Sequence, residues 1–402
     1  MPTVETGHFA GEPLMEWLLA LGLGAIAAGW GLIEYQYRQR EGNDLELDEG
    51  KWERLIFEKQ RYVLLGSFVA TNFTEGWDVF IPEVKPEVTL LAEGSTATLQ
   101  QRIGLRALHP GQKPRDDNYW EAYIVKGKHA TQLEIEVELT GPDLSILEAL
   151  WVRVHYLTYG PEGRIPRVRH CVVPLRFPDP NGPERWLPTP TADVLPIRTH
   201  LLSPLDDVVE VLRHYVMPHA QTGDVVTIGE SPLAIMQGRW RHPSDIYPGW
   251  LARRLCYYFI RTSSLATACG LQALIDEVGA WRVALAFAVG AIAKGLFRIP
   301  GVFYRLAGEQ ARLIDDVTGT IPPYDQFIVY GPENPQAVCD RILAETGLQA
   351  AIVDVNDLKR VFVLAKTPGV TLELLNEALL DNPAGNAAEQ TPVVLIRPTN
   401  GV

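Results

Sequence analysis

The sequence predicts an α+β protein in three parts: an N-terminal single transmembrane helix, a small antiparallel β domain and a C-terminal mixed α/β domain. Three observations carry that reading. An uncharged apolar run, Trp17 to Ile33, lies near the start; Gln132 to Leu139 alternates polar and apolar; and beyond a proline-rich stretch, helical patterns interleave with short apolar strands. With 402 residues, 47% of them hydrophobic and 21% charged, the chain is long enough for two or three domains with filled cores. A net charge of −13 argues against duplex nucleic acid as a partner, since phosphate binding needs a basic surface. The four cysteines lie far apart with no CxxC pair, which gives neither a zinc site nor a disulfide scaffold and suits a reducing compartment.

The anchor comes first. Trp17 to Ile33 is flanked by Glu16 and Glu34, and at about 1.5 Å per residue its length approaches the thickness of a bilayer core. Extended to residues 14–35 it is the membrane contact expected of the chain, with Trp17, Trp30, Tyr35 and Tyr37 placed as interfacial aromatics. Small residues four apart (Ala20/Gly24, Ala25/Gly29, Ala27/Gly31) would let a second helix approach, so a homodimer is compatible with the segment. No Lys or Arg precedes it, which argues against a cleaved leader, while Arg38 and Arg40 follow it. The positive-inside rule then puts the bulk of a single-pass chain in the cytoplasm.

Residues 1–36 are thus read as tail and anchor, and Glu41 to Glu49 as an acidic spacer. Strand patterns run from Arg61 to about Pro174, broken by turn signals at Gly94, Pro110-Gly111 and Gly160 to Gly163. They make 51–178 a sandwich or barrel-like domain. Its basic run Arg164, Arg167 and Arg169 reads as the solvated face of a strand. Seven prolines between Pro174 and Pro196 indicate an extended linker without a central strand.

The third domain, 195–402, begins with an amphipathic helix over Asp206 to Tyr215, for which Ser203 or Asp206 is available as cap. Val225 to Ile228 reads as a strand. Trp281 to Phe297 is apolar with Arg282 and Lys294 near its ends, which favours a buried or surface-lying helix over a second span. Pro335 to Thr346 reads as a helix and Ala350 to Val353 as a strand leading into Asp354. A last helix capped by Thr371 and a strand from Pro392 to Ile396 complete the pattern.

Three acidic segments of this domain read together as one site: Ile314-Asp315-Asp316, Ile352 to Asp357, and Asp381 to Pro392. Carboxylates at the ends of apolar runs are where hard divalent cations take oxygen ligands, and phosphates commonly arrive with the metal. Asp in such a position is also a common turn former or cap. No P-loop is present, and no nucleophile has an evident base nearby in sequence.

Leu195 to Thr199, Pro204 to Asp207, Gly223 to Val226, Glu230 to Arg239 and Phe303 to Gly308, followed by the three acidic segments, keep their order and spacing in a known pattern. Residues ~195–397 resemble the coenzyme F-420 gamma-glutamyl ligase family, in its bacterial folate-metabolism-like branch. The anchor and the β domain fall outside that resemblance. It implies a ligase-like fold and an acid–amino-acid ligase in which GTP activates a substrate carboxylate as an acyl phosphate that glutamate then displaces. It also implies manganese or magnesium bridging the nucleotide phosphates. By position Asp315 and Asp354 match the family's metal-binding aspartates and Glu389 falls in its third acidic segment. Asn356, Arg198 and Arg239 are the candidate nucleotide or substrate partners. Where those ligases carry Lys-Ala-Glu-Gly-Arg this chain has Ile235 to Arg239, and Asn386 stands where a Glu is expected. The competing expectation is a non-catalytic scaffold or assembly factor at the membrane, built on the same fold.

Overall fold

The computed structural model of the chain describes residues 12–38, 42–316, 321–356, 359–385 and 389–399; the side chains of Asp315, Asp316 and Asn356 are outside that description. It opens with α1 (Glu12–Arg38), none of whose described side chains is buried. Trp17, Leu21, Ile26 and Trp30 are about 70% exposed.

Nine strands follow: β1 (Leu45–Leu47), β2 (Lys51–Glu58), β3 (Arg61–Asn72), β4 (Val79–Ala92), β5 (Gln100–Leu108), β6 (Tyr123–Val125), β7 (Ala130–Thr140), β8 (Leu147–Gly160) and β9 (Gly163–Pro174). They form two antiparallel sheets. One has the order β1-β3-β7-β5 with β2 also on β3, and the other β6-β4-β8-β9. Leu64, Phe68, Ile135 and Val137 from the first sheet meet Ile81, Val88, Val152 and Val154 from the second in one core. Strand β7 shows why the alternating residues fold this way: Leu133, Ile135, Val137 and Leu139 point inward while the glutamates between them face out. The acidic stretch after α1 is more than a spacer, because Leu45 and Leu47 are fully buried as β1 pairs with Ala70 to Asn72. Its glutamates and aspartates point outward between inward leucines, and charge count alone hides that period. The basic run on β9 is also less solvated than expected: Arg167 donates to Asn43 O at 2.7 Å, bracing the chain entering the sandwich.

The remainder runs β10 (Leu187–Pro188), β11 (Ala192–Ile197), α2 (Val208–Tyr215), β12 (Val225–Gly229), α3 (Glu230–Met236), β13 (Trp240–Arg241), α4 (Trp250–Leu255) and α5 (Ala268–Val278). It continues with α6 (Ala280–Phe297), α7 (Val302–Ala307), α8 (Gln310–Leu313), β14 (Asp315–Asp316), β15 (Ile328–Val329), α9 (Pro335–Thr346), β16 (Gln349–Asn356), β17 (Arg360–Lys366), α10 (Leu372–Leu379) and β18 (Val393–Pro398). A six-stranded mixed sheet, β10-β11-β18-β12-β16-β17, is the backbone of this part, and β13-β15-β14 make a small second sheet. The proline-rich stretch therefore does hold strands. Pro196 is tolerated in β11 because β10 pairs only with Asp193 and Val194, leaving one side of β11 unpaired further along. Helix α2 is capped by Asp207, whose carboxylate accepts from the Val209 and Glu210 amides; Ser203 and Asp206 instead close a turn on His200. Thr371 does cap α10. Sandwich and sheet are joined by an apolar seam in which Ala149, Trp151 and Val172 pack with Ala234, Ile235 and Phe327.

Candidate functional site

Strand direction decides where the candidate residues fall. β12 and β16 run parallel, from Val225 opposite Gln349 to Gly229 opposite Val353. β18 is antiparallel to both β12 and β11. The carboxyl ends of β11, β12 and β16 therefore share one edge with the start of β18. Arg198 leaves β11 there, Glu230 follows β12, Asp354 and Asn356 end β16, and Glu389 and Gln390 lead into β18. The carboxyl edge of parallel strands is where open α/β sheets usually bind ligands.

Specific contacts draw the segments together at that edge. Thr199 N donates to Gln390 O at 3.0 Å, and the Arg198 guanidinium lies 3.5 Å from Gln390 Oε1. Lys359, in the turn between β16 and β17, pairs with Asp381 at 3.1 Å. Arg312 of α8 sits 4.1 Å over the ring of Phe362, which pairs with Asp354 across the hairpin. Asp315 is three residues beyond Arg312, so its backbone is within about 11 Å of that of Arg312. The β16–β17 hairpin thus meets the Asp381 end of the third segment and, through Arg312, the helix that leads into Asp315, whose own strand β14 lies in the small sheet. Gly385 lies in the third segment with a φ of +69°, a backbone conformation that favours glycine, and its Cα faces the Glu389 carboxyl.

The electrostatics single out Asp354. It is exposed at the strand end, yet loss of solvation around its carboxyl raises its pKa, with the positive charge of Arg312 pulling the other way. A carboxylate left short of compensation gains from any cation that approaches it.

Arg239 is placed differently. Its Nε donates to Gly331 O at 2.7 Å, its Nη2 pairs with Glu277 at 2.6 Å, and its guanidinium lies 5.6 Å from the Tyr330 ring centre. Those donors brace β13 against the helices. Asp315 reaches the region through α8 and β14, opposite Val329, while its side chain and that of Asn356 lie outside the described residues, as does Asn386. Among the described residues no group of three or more His, Cys, Asp or Glu is arranged to hold a metal ion. Sequence reasoning missed Arg312 and Lys359, whose only signal was basic charge close to an acidic segment.

Comparison with known families bears on the sandwich. Residues 46–177 match the F420-0:gamma-glutamyl ligase N-terminal Ig-like domain. The match supports the coenzyme F-420 gamma-glutamyl ligase family and a ligase-like relationship. It also corrects an expectation, because the sandwich, read above as lying outside the resemblance, is the part that matches. Compared with curated proteins, the chain matches none. Among solved structures it is similar to the GAE domain of GGA2p from Saccharomyces cerevisiae, at 7% identity over 34% of this chain and 96% of that one, with a TM-score of 0.22. The yeast GGA1 GAE domain gives the same figures. A structural-genomics target, SoR45, is 11% identical over 34% of this chain and 89% of its own, with a TM-score of 0.20.

Proposed function

We propose that the protein is a membrane-anchored, metal- and nucleotide-dependent amide ligase that adds glutamate to a carboxylate substrate. In this reading 1–36 holds the anchor with the bulk of the chain cytoplasmic, 51–178 is the Ig-like domain, and 195–402 carries the chemistry. The observation that carries it is the match of the sandwich to a ligase family, in a chain where Arg198, Asp354 and the Glu389–Gln390 lead-in share one edge of the main sheet and Arg312, just ahead of Asp315, reaches the Asp354 hairpin.

By residue type, the candidate donors suit a hard divalent cation. Asp354 offers an under-compensated carboxylate, and Asp315, Glu389 and Asn356 are oxygen ligands of the right kind. Bound manganese or magnesium supplies the charge neutralisation that lets GTP phosphates and a carboxylate approach each other. Arg198, exposed at the same edge and within 3.5 Å of Gln390 Oε1, is of the right kind to orient a phosphate or carboxylate oxygen. The test is incubation of the full chain in detergent with GTP, Mn²⁺, L-glutamate and F420-0. Glutamate-dependent phosphate release with a glutamylated product supports the reading; no such release from folded protein overturns it.

One observation favours the scaffold as second reading. Arg239, which would hold phosphate in an active enzyme, is paired with Glu277. A scaffold predicts that Glu277→Gln leaves nucleotide binding at zero, whereas the ligase predicts that the variant keeps or strengthens it.

A further inference from the structure

Residues 246–308 form a helical excursion that leaves and re-enters the small sheet, and its outer surface is unlike the rest of the chain. Helix α6 is its longest element. Val283, Ala286 and Gly290 pack inward, with Gly290 so close to Phe303 that a Cβ would meet it at 3.1 Å. The opposite face, at helical spacing, presents Trp281, Leu285, Val289, Ile292 and Leu296, which are 39–81% exposed. Elsewhere in the excursion Tyr247, Trp250, Tyr257, Tyr258 and Ile260 are each at least 70% exposed, and Tyr258 packs against Phe287 of α6 with ring centres 5.5 Å apart. Soluble surfaces seldom gather so much apolar area, and aromatics of this kind concentrate where a protein meets a bilayer.

The charges point to the same occupant. This stretch holds seven Lys or Arg against two acids, a net of +5 in a chain of −13. Both acids are turned to other work, Asp276 pairing with Arg241 and Glu277 with Arg239. Among the described residues none of Arg253, Arg254, Lys294 or Arg298 is in an ion pair, and Arg253 and Arg254 line a depression with Trp250 and Pro248. By length and composition α6 could cross a membrane. Spanning would strip it from α5 and α7, and with them Val283, Ala286 and Phe303 from their shared core. A helix packed on one side, apolar on the other and flanked by unpaired cations suits the plane of the interface.

We infer that the 246–308 excursion is a second membrane contact, seating its α6 face and tyrosine–tryptophan cluster in the surface of an anionic bilayer. It goes beyond the ligase reading and does not depend on it. Such a contact would fix the orientation of the sheet edge relative to the membrane, which a lone α1 could not.

The experiment uses the full chain in phosphatidylcholine vesicles with and without about 30 mol % phosphatidylglycerol. A spin label is placed at Leu296→Cys, or at Asp340→Cys on the exposed side of α9, in a Cys269→Ser background. The expected result is several-fold greater protection from aqueous nickel at 296 than at 340 in anionic vesicles, reduced by Arg253→Glu/Arg254→Glu/Lys294→Glu. Equal nickel access at both positions in protein that floats with the vesicles overturns the proposal while leaving α1 as an anchor; failure to float with anionic vesicles overturns both this contact and the anchor reading. Dipolar broadening at 296 that disappears on dilution with unlabelled chain identifies a second copy as occupant, and also overturns it.

Discussion

The strand β7 and the helix α6 are both rich in apolar residues, and they spend them in opposite directions. In β7 every leucine, isoleucine and valine is inside and glutamates face water, whereas in α6 only Val283 and Ala286 are buried, Phe287 is half-buried and the other large side chains look out. The sandwich closes on itself; the excursion stays open. Apolar content alone therefore says little about where a segment points, and the polar residues between the apolar ones decide it. In β7 they alternate and define an outer face, while in α6 they sit only near the ends.

Several substitutions would break or sharpen this contrast. The largest effect is expected in the closed core, where Phe68→Ala removes a side chain 1% exposed and should destabilise by about 3–5 kcal/mol in urea unfolding. Next is Arg397→Met. It strands Asp224, which is 2% exposed and paired with Arg397 at 2.8 Å, and should cost about 3 kcal/mol by the same measurement. Asp207→Ala removes the α2 cap for about 1 kcal/mol. The open face should respond least: Leu285→Ala, at a residue 54% exposed, is expected to stay within about 0.5 kcal/mol. If Leu285→Ala instead unfolds the chain as Phe68→Ala does, α6 belongs to a core and the contrast fails.

Asp354 gives a prediction with a sign. Its folded pKa is raised above 3.8, so the folded state holds its proton more tightly than the unfolded chain does. Stability associated with the protonated form is present at low pH and lost as pH rises through the folded value. Asp354→Asn should therefore raise the melting temperature slightly at neutral pH, with the gain fading on acidification toward 3.8. A gain independent of pH would assign the effect to something other than the charge.

Much of the fold was legible because period and capping are local. The alternation of β7, the helix Pro335–Thr346 and the Thr371 cap all stand where local rules put them. What escaped depended on partners far away in sequence. β1 is a strand because Asn72 and Thr71 accept it, β11 carries Pro196 because β10 is short, and α2 is capped by the neighbour of the expected aspartate. The candidate site was half legible. Acidic residues after apolar runs marked Asp354, but its nearness to the Asp315 segment rests on Arg312 crossing to Phe362, a contact that spans fifty residues of chain.

The central claim, that the sheet edge at Asp354 receives a metal–nucleotide complex, is tested most directly by isothermal titration of the full chain in detergent with GTP and Mn²⁺. Wild type should bind the two together, and Asp354→Asn, folded and at least as stable, should lose that binding by at least about tenfold, or roughly 1.4 kcal/mol. No binding to wild type, or equal binding to both proteins, would contradict it.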